Sequence, residues 1–300
     1  MKPSLFIIGG PKCGTTAMCS YLAEHPEVCF AVPKEPKYFN TDFAPERREA
    51  LTEKAYLRCF RANPRVHKLL AEGTVWYLYS QVAVPNILHF NPDARFVVMI
   101  RNPVDLAYSL HSQLYYGGLE DVGDFETAWR LQEARKRGQD LPRGTRDAKS
   151  LLYGDVAKLG EQVERLFKTV PRERVLIINY DDFSRDPRSQ YDRVLAFADL
   201  SPHPREQFAR HNENRALRTT FLAAAIFRLK RLKSALGLKK SFGIWHWLQP
   251  LVARKQERPR MAKRLEEELQ TYFAADIQEL ERQTDLNLSS WKQGRDRNVA

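Results

Sequence analysis

The residues best equipped for chemistry lie near the start of the chain, in Gly9-Gly10-Pro11-Lys12-Cys13-Gly14-Thr15-Thr16. The three glycines permit close backbone approach and positive φ. Thr15 or Thr16 is placed to cap a helix running through Ala17 to Glu24. The free N–H groups of such a helix start converge on one point, with Lys12 beside them, and that geometry binds a phosphate. Against the GxxxxGK[ST] phosphate-loop pattern, Gly9 and Gly14 have the right spacing and Thr16 fits the last position, but Thr15 stands where the lysine belongs. A nucleoside-triphosphate enzyme uses that lysine on the β- and γ-phosphates together with magnesium, so its displacement to Lys12 argues against ATP hydrolysis or kinase chemistry.

Two further groups of residues invite a chemical reading. Pro33-Lys34-Glu35-Pro36-Lys37-Tyr38-Phe39 is a charged loop that two prolines hold extended. Lys34 and Lys37 flank Glu35, and neighbouring cations favour a carboxylate over a carboxylic acid, which suits a general base. Arg101 follows the apolar run 94–100 and precedes Asn102-Pro103, which opens a helix. Its guanidinium offers a bidentate fork for phosphate, and Ser109, two turns along, presents a hydroxyl from the face shared with Asp105. His111 on the same helix reads as a helix-surface or acceptor-cleft residue.

These groups need a scaffold that gathers them. The runs 4–8 (SLFII), 68–78 (KLLAEGTVWYL), 94–100 (ARFVVMI) and 174–180 (RVLIINY) read as buried parallel strands. Helical spacing follows each, most clearly in LLYGDVAKLGEQVERLF from Leu151 and in the closing RPRMAKRLEEELQTYF segment. This β-α-β alternation, with at least four parallel strands, predicts an α/β fold, a three-layer sandwich whose central parallel sheet is flanked by helices. Ligands of open α/β sheets bind beyond the carboxyl ends of the strands, where all three chemical groups fall.

With 300 residues and 43% hydrophobic composition, the chain reads as one domain over 1–300. Insertions near 40–66, 117–150 and 219–250 would frame an acceptor site. The second of these reads as a mobile segment. A formal charge of +11 points to anionic partners, and residues 210–240 carry nine Lys or Arg against one acid. That basic, amphipathic stretch suits peripheral contact with an anionic membrane, a cover over a phosphate through Arg215 or Arg218, or an acidic acceptor. No nucleic-acid module is recognisable, so nucleic acid is not an expected partner. Cys13, Cys19, Cys29 and Cys59 form no CxxC pair and have no clustered His partners, which points to reduced thiols and no metal site. No apolar run approaches the roughly 20 residues of a membrane span, and a strand begins within the first residues, so a cytoplasmic location is expected.

The combination of IIGGPKCGTT at 7–16, KEPKYF at 34–39 and RNPVDLAYS at 101–109 resembles the sulfotransferases that use 3′-phosphoadenylyl sulfate (PAPS). Similarity extends through FVVMIRNP, RVLIINYDDFSRDP and the closing DLNLSSW, and is greatest to bacterial members related to heparan-sulfate sulfotransferases. The resemblance implies a P-loop-containing sandwich and sulfuryl transfer from PAPS to an acceptor hydroxyl or amine, with 3′-phosphoadenosine 5′-phosphate (PAP) released. It implies that Pro11, Lys12, Cys13, Gly14, Thr15 and Thr16 hold the donor, that Arg101 and Ser109 grip its 3′-phosphate, and that Lys12 and Glu35 are catalytic. A sulfuryl group bears less charge than a phosphoryl group, so N–H donors and one lysine would serve in place of a metal. Tyr153 matches a position near the nucleotide. Many glycan-acting relatives have a lysine at the position of Gly73, and several have a histidine at that of Lys37. The acceptor stays open among small molecules, lipids and glycans. A P-loop nucleotide kinase or NTPase and a non-catalytic acidic-polymer-binding protein remain as alternatives.

Overall fold

The computed structural model describes residues 1–292 except 144, 146–147, 206, 209–214, 218–252 and 256–260. The 219–250 insertion and Arg218 therefore lie outside the described residues, as does most of the basic stretch, and Arg215 is described by its backbone alone.

Five strands form the central sheet: β1 (Leu5–Gly9), β2 (Val28–Phe30), β3 (Leu69–Glu72), β4 (Arg95–Ile100) and β5 (Val175–Asn179). Their order is β2-β3-β1-β4-β5, and every pairing is parallel. The sheet thus has one strand more than the expected minimum. The addition is β2, whose three residues are too few to show a period and which sits at an edge, paired only with β3. Strand β1 is central and buried throughout because both faces and both edges are covered, so an unbroken apolar run is what its position demands.

Helices occupy the connections, as parallel pairing requires. They are α1 (Thr15–Ala23), α2 (Glu53–Leu57), α3 (Ala83–Phe90), α4 (Pro103–Gly117), α5 (Phe125–Arg130), α6 (Gln132–Lys136), α7 (Tyr153–Ala157), α8 (Leu159–Phe167), α9 (Tyr180–Arg185) and α10 (Pro187–Phe197). The long α11 (Lys263–Thr284) packs its Leu265, Leu269, Phe273, Ile277 and Leu280 stripe inward, against α8 and α4. A separate antiparallel pair joins Arg215–Leu217 to Ala253–Lys255.

Beyond α11, the DLNLSSW segment buries Trp291, whose indole N–H donates to Asp181 at 2.9 Å. The C-terminal segment thereby braces the first turn of α9, which begins directly after β5 at the carboxyl edge of the sheet. Among the described residues no helix is long and apolar enough to cross a membrane.

Candidate active site

Because the five strands are parallel, the segments after β1, β2, β3, β4 and β5 all leave from one edge of the sheet. The loop after β1 turns sharply. Its Gly10 N–H donates to Met99 O of β4 at 2.6 Å, and Lys12 takes a left-handed φ of 65°. Gly14 caps α1 with φ 85° and ψ 4°, and no side chain caps the helix. Thr15 and Thr16 are the first helical residues, not the cap expected from the sequence; the left-handed glycine does the turning instead. A Cβ at Gly14 would lie 3.1 Å from the rings of Tyr180 and Phe183, so the loop is closely cradled by α9. In the first turn of α1 Ala17 N donates to Gly14 O at 3.0 Å, which leaves the N–H groups of Thr15 and Thr16, at the open start of the helix, for a ligand. Cys13 is fully buried, its thiol 3.4 Å from Pro11 O, and burial pushes its pKa up to about 12. It is inert packing within the loop.

Arg101 follows β4 and reaches back to the same loop, donating to Lys12 O at 3.0 Å. Its guanidinium lies over the Tyr180 ring at 4.7 Å and 4.0 Å from the Asp105 carboxylate. Its Nε is buried and meets no acceptor in the protein. An orphaned guanidinium donor beside a helix N-terminus fits an anionic ligand such as a nucleotide phosphate. Asn102 caps α4 by accepting from Val104 N at 3.0 Å, with Pro103 at the first turn. Ser109 lies two turns along α4 and is buried.

Glu35 stands in the loop after β2, paired with Lys34 at 3.1 Å, and both side chains are about one-quarter exposed. Burial disfavours the Lys34 ammonium, but Cys19, Glu35 and Glu72 outweigh that and hold its pKa above the ordinary value. The loop is stitched to the end of β3: Gly73 N donates to Lys34 O at 3.0 Å, Lys37 N to Thr74 Oγ1 at 3.3 Å and Tyr38 N to the Tyr77 hydroxyl at 3.0 Å. On the other side Arg48 donates to Lys37 O and Tyr38 O at 3.3 and 2.6 Å. A Cβ at Gly73 would come within 2.4 Å of Cys19 Sγ, so any side chain here requires the buried Cys19 to shift.

Sequence reasoning missed Glu72, the last residue of β3. It is wholly buried and accepts from Tyr56 (2.9 Å), Thr74 (2.6 Å) and Tyr77 (3.1 Å). Burial raises its pKa to about 7 against the lowering effect of those three hydroxyls. A glutamate in an apolar strand was the available signal. Tyr180 and Phe183 were missed as well, although aromatic residues just past a buried strand are placed at the ligand edge.

Within the segment after α4, α5 and α6 are held by a buried bidentate pair between Arg135 and Glu120 at 2.6 and 2.8 Å, with Tyr153 also donating to Glu120. Tyr153 is thus tied to this pair. His111 is buried on α4, not surface-exposed; its Nε2 is 2.9 Å from Val122 O, and burial lowers its pKa. Segment 40–66 joins 117–150 where Lys149 binds Asp42 Oδ2 at 2.9 Å and Asp42 O at 2.6 Å. No group of three or more His, Cys, Asp or Glu among the described residues is placed to hold a metal ion.

A family model described as a sulfotransferase domain matches residues 2–221. The chain belongs to the sulfotransferase-domain family. A crystal structure of a sulfotransferase from Alicyclobacillus acidocaldarius superposes with a TM-score of 0.70 at 25% identity, covering 98% of this chain and 100% of that one. The fold is therefore the sulfotransferase sandwich. Among curated proteins, bifunctional heparan sulfate N-deacetylase/N-sulfotransferase 3 of Mus musculus is 25% identical over 204 residues, 67% of this chain and 23% of that protein. Carbohydrate sulfotransferase 15 of Homo sapiens is 29% identical over 162 residues, 41% of this chain and 28% of that protein. This sulfotransferase chain thus matches less than a third of either relative's length.

Proposed function

We propose that this sulfotransferase moves the sulfuryl group of PAPS to an acceptor hydroxyl or amine and releases PAP. The observation that carries the reading is Arg101: fixed on the Lys12 carbonyl and the Tyr180 ring, it keeps a buried Nε donor without a protein acceptor at the mouth of the Gly14 turn. In this reading Pro11, Lys12, Cys13, Gly14, Thr15 and Thr16 wrap the 5′-phosphate end of the donor, while Arg101 and Ser109 take its 3′-phosphate. The acceptor oxygen or nitrogen forms a bond to sulfur as the bond from sulfur to the bridging phosphate oxygen breaks. That oxygen keeps the electron pair, and Lys12 with the first amides of α1 stabilises its charge. Glu35 takes the acceptor's proton.

The relatives named for heparan sulfate and carbohydrate favour a glycan acceptor, while small molecules and lipids fit the same chemistry. With Gly73 bare, this reading assigns the cationic acceptor contacts beside Glu35 to Lys34 and Lys37. Isotope-labelled PAPS offered with glycan and phenolic acceptors tests the reading. Glu35→Ala is expected to lower turnover by about 10²- to 10⁴-fold while PAP binding persists. If the wild-type chain does not bind PAP, the assignment fails.

A further inference from the structure

Glu72 has no part in the reaction just described, and it is fully buried at the end of β3. Its surroundings are directional. Tyr56, Thr74 and Tyr77 all donate their hydroxyl protons to it. The oxygens of Thr74 and Tyr77 are thereby left to accept, and what they accept is the backbone N–H of Lys37 (3.3 Å), Tyr38 (3.0 Å) and Phe39 (3.4 Å). One carboxylate thus orients two hydroxyls, and the hydroxyls hold the strand of loop that carries Glu35.

We infer that Glu72 is a positioning residue: its carboxylate fixes the Pro33–Phe39 loop through Thr74 and Tyr77, and protonation of Glu72 slackens that hold. The inference rests on Glu35 being the base for its meaning to catalysis, but the loop's dependence on Glu72 stands apart from that role. Once protonated, Glu72 accepts from fewer donors and presents one of its own, so at least one hydroxyl must turn away. The charged and titratable groups that share its surroundings are Tyr56 of α2, Cys59 just after it, Tyr77, Cys19 of α1, and Lys34 and Glu35 of the loop itself. Burial pushes Glu72 up to about 7, which places the change within the working range of pH.

The sign for stability is opposite to the sign for loop order. A carboxyl group whose pKa is higher in the folded chain than its ordinary 4.5 favours folding in its protonated form. That contribution is complete below 4.5 and is lost as pH rises through about 7, while the loop tightens over the same rise. Glu72→Gln imitates the protonated acid at every pH.

The test is amide hydrogen exchange across residues 33–39, corrected for intrinsic rates, in the intact chain above and below neutral pH. In the wild type, exchange at Lys37, Tyr38 and Phe39 is expected to slow about tenfold as pH rises through neutrality, the worth of one retained hydrogen bond. In Glu72→Gln it is expected to stay fast and flat, with PAP affinity unchanged and a Tm above neutral pH no lower than wild type. A lower Tm with faster exchange throughout the chain would mean that Glu72 is only structural. Wild-type exchange at residues 37–39 in Glu72→Gln would overturn the proposal outright. Full turnover by Glu35→Ala would instead overturn the base assignment and leave the exchange result standing.

Discussion

Lys12, Gly14 and Arg101 show how much of the candidate site is decided by single residues. Gly14 holds φ 85° against the Tyr180 and Phe183 rings, a backbone state and a gap that only glycine fills without cost. Gly14→Ala is expected to destabilise the chain by about 1–3 kcal/mol in urea unfolding, and to weaken PAP binding as the helix start is displaced. Arg101→Lys retains the charge but loses the planar fork that bridges the Lys12 carbonyl and the site. Calorimetry is expected to show PAP affinity reduced at least tenfold, about 1.5–3 kcal/mol for a charge-assisted hydrogen bond, with little change in Tm. Both residues could be singled out from the sequence because glycine and arginine carry distinctive backbone and donor properties. For Glu72 the sequence offers only a charged residue in an apolar strand; its role lies in three hydroxyls that come from two different segments.

At the scale of elements, the outcome differs between strands and insertions. Strands β1, β3 and β4 were readable because burial on both faces leaves continuous apolar runs, and β5, half-buried at the sheet edge, because its Val-Leu-Ile-Ile run is apolar throughout. The 117–150 segment was not, because it is tied by a few polar contacts in place of a long apolar face. Its Arg135 and Glu120 side chains are fully buried together. Burial opposes the charge on Glu120, but the hydrogen bonds from Arg135 and Tyr153 hold its carboxyl below the usual range. The stability it provides is therefore present above the ordinary carboxylate pKa and is lost as pH falls through the depressed value. Glu120→Ala strands the Arg135 charge and is expected to cost about 3–5 kcal/mol by denaturant unfolding at neutral pH. The burial of His111, which reads from the sequence as a helix-surface or acceptor-cleft residue, has the same origin: Phe125 and Tyr153, which cover it, come from other elements.

For the whole molecule, the net charge of +11 favours anionic ligands at long range, so PAP affinity is expected to fall as salt is raised, as titrations over a salt series would show. Comparing wild type with Glu72→Gln across pH gives a second global check. The rise in the Glu72 pKa from 4.5 to about 7 corresponds to about 3 kcal/mol of stability that the wild type loses, and the variant keeps, between those pH values. The sequence by itself determined the parallel-sheet class and where the glycine-rich turn, the Glu35 loop and Arg101 fall along the chain, because these depend on local pattern and on where a strand ends. The tertiary structure decided what depends on contact between distant segments: Arg101 against Lys12, Glu72 beneath the Glu35 loop, and Arg135 with Glu120 under Tyr153. Buried polar groups take their meaning from the partners that satisfy them, and the fold supplies those partners.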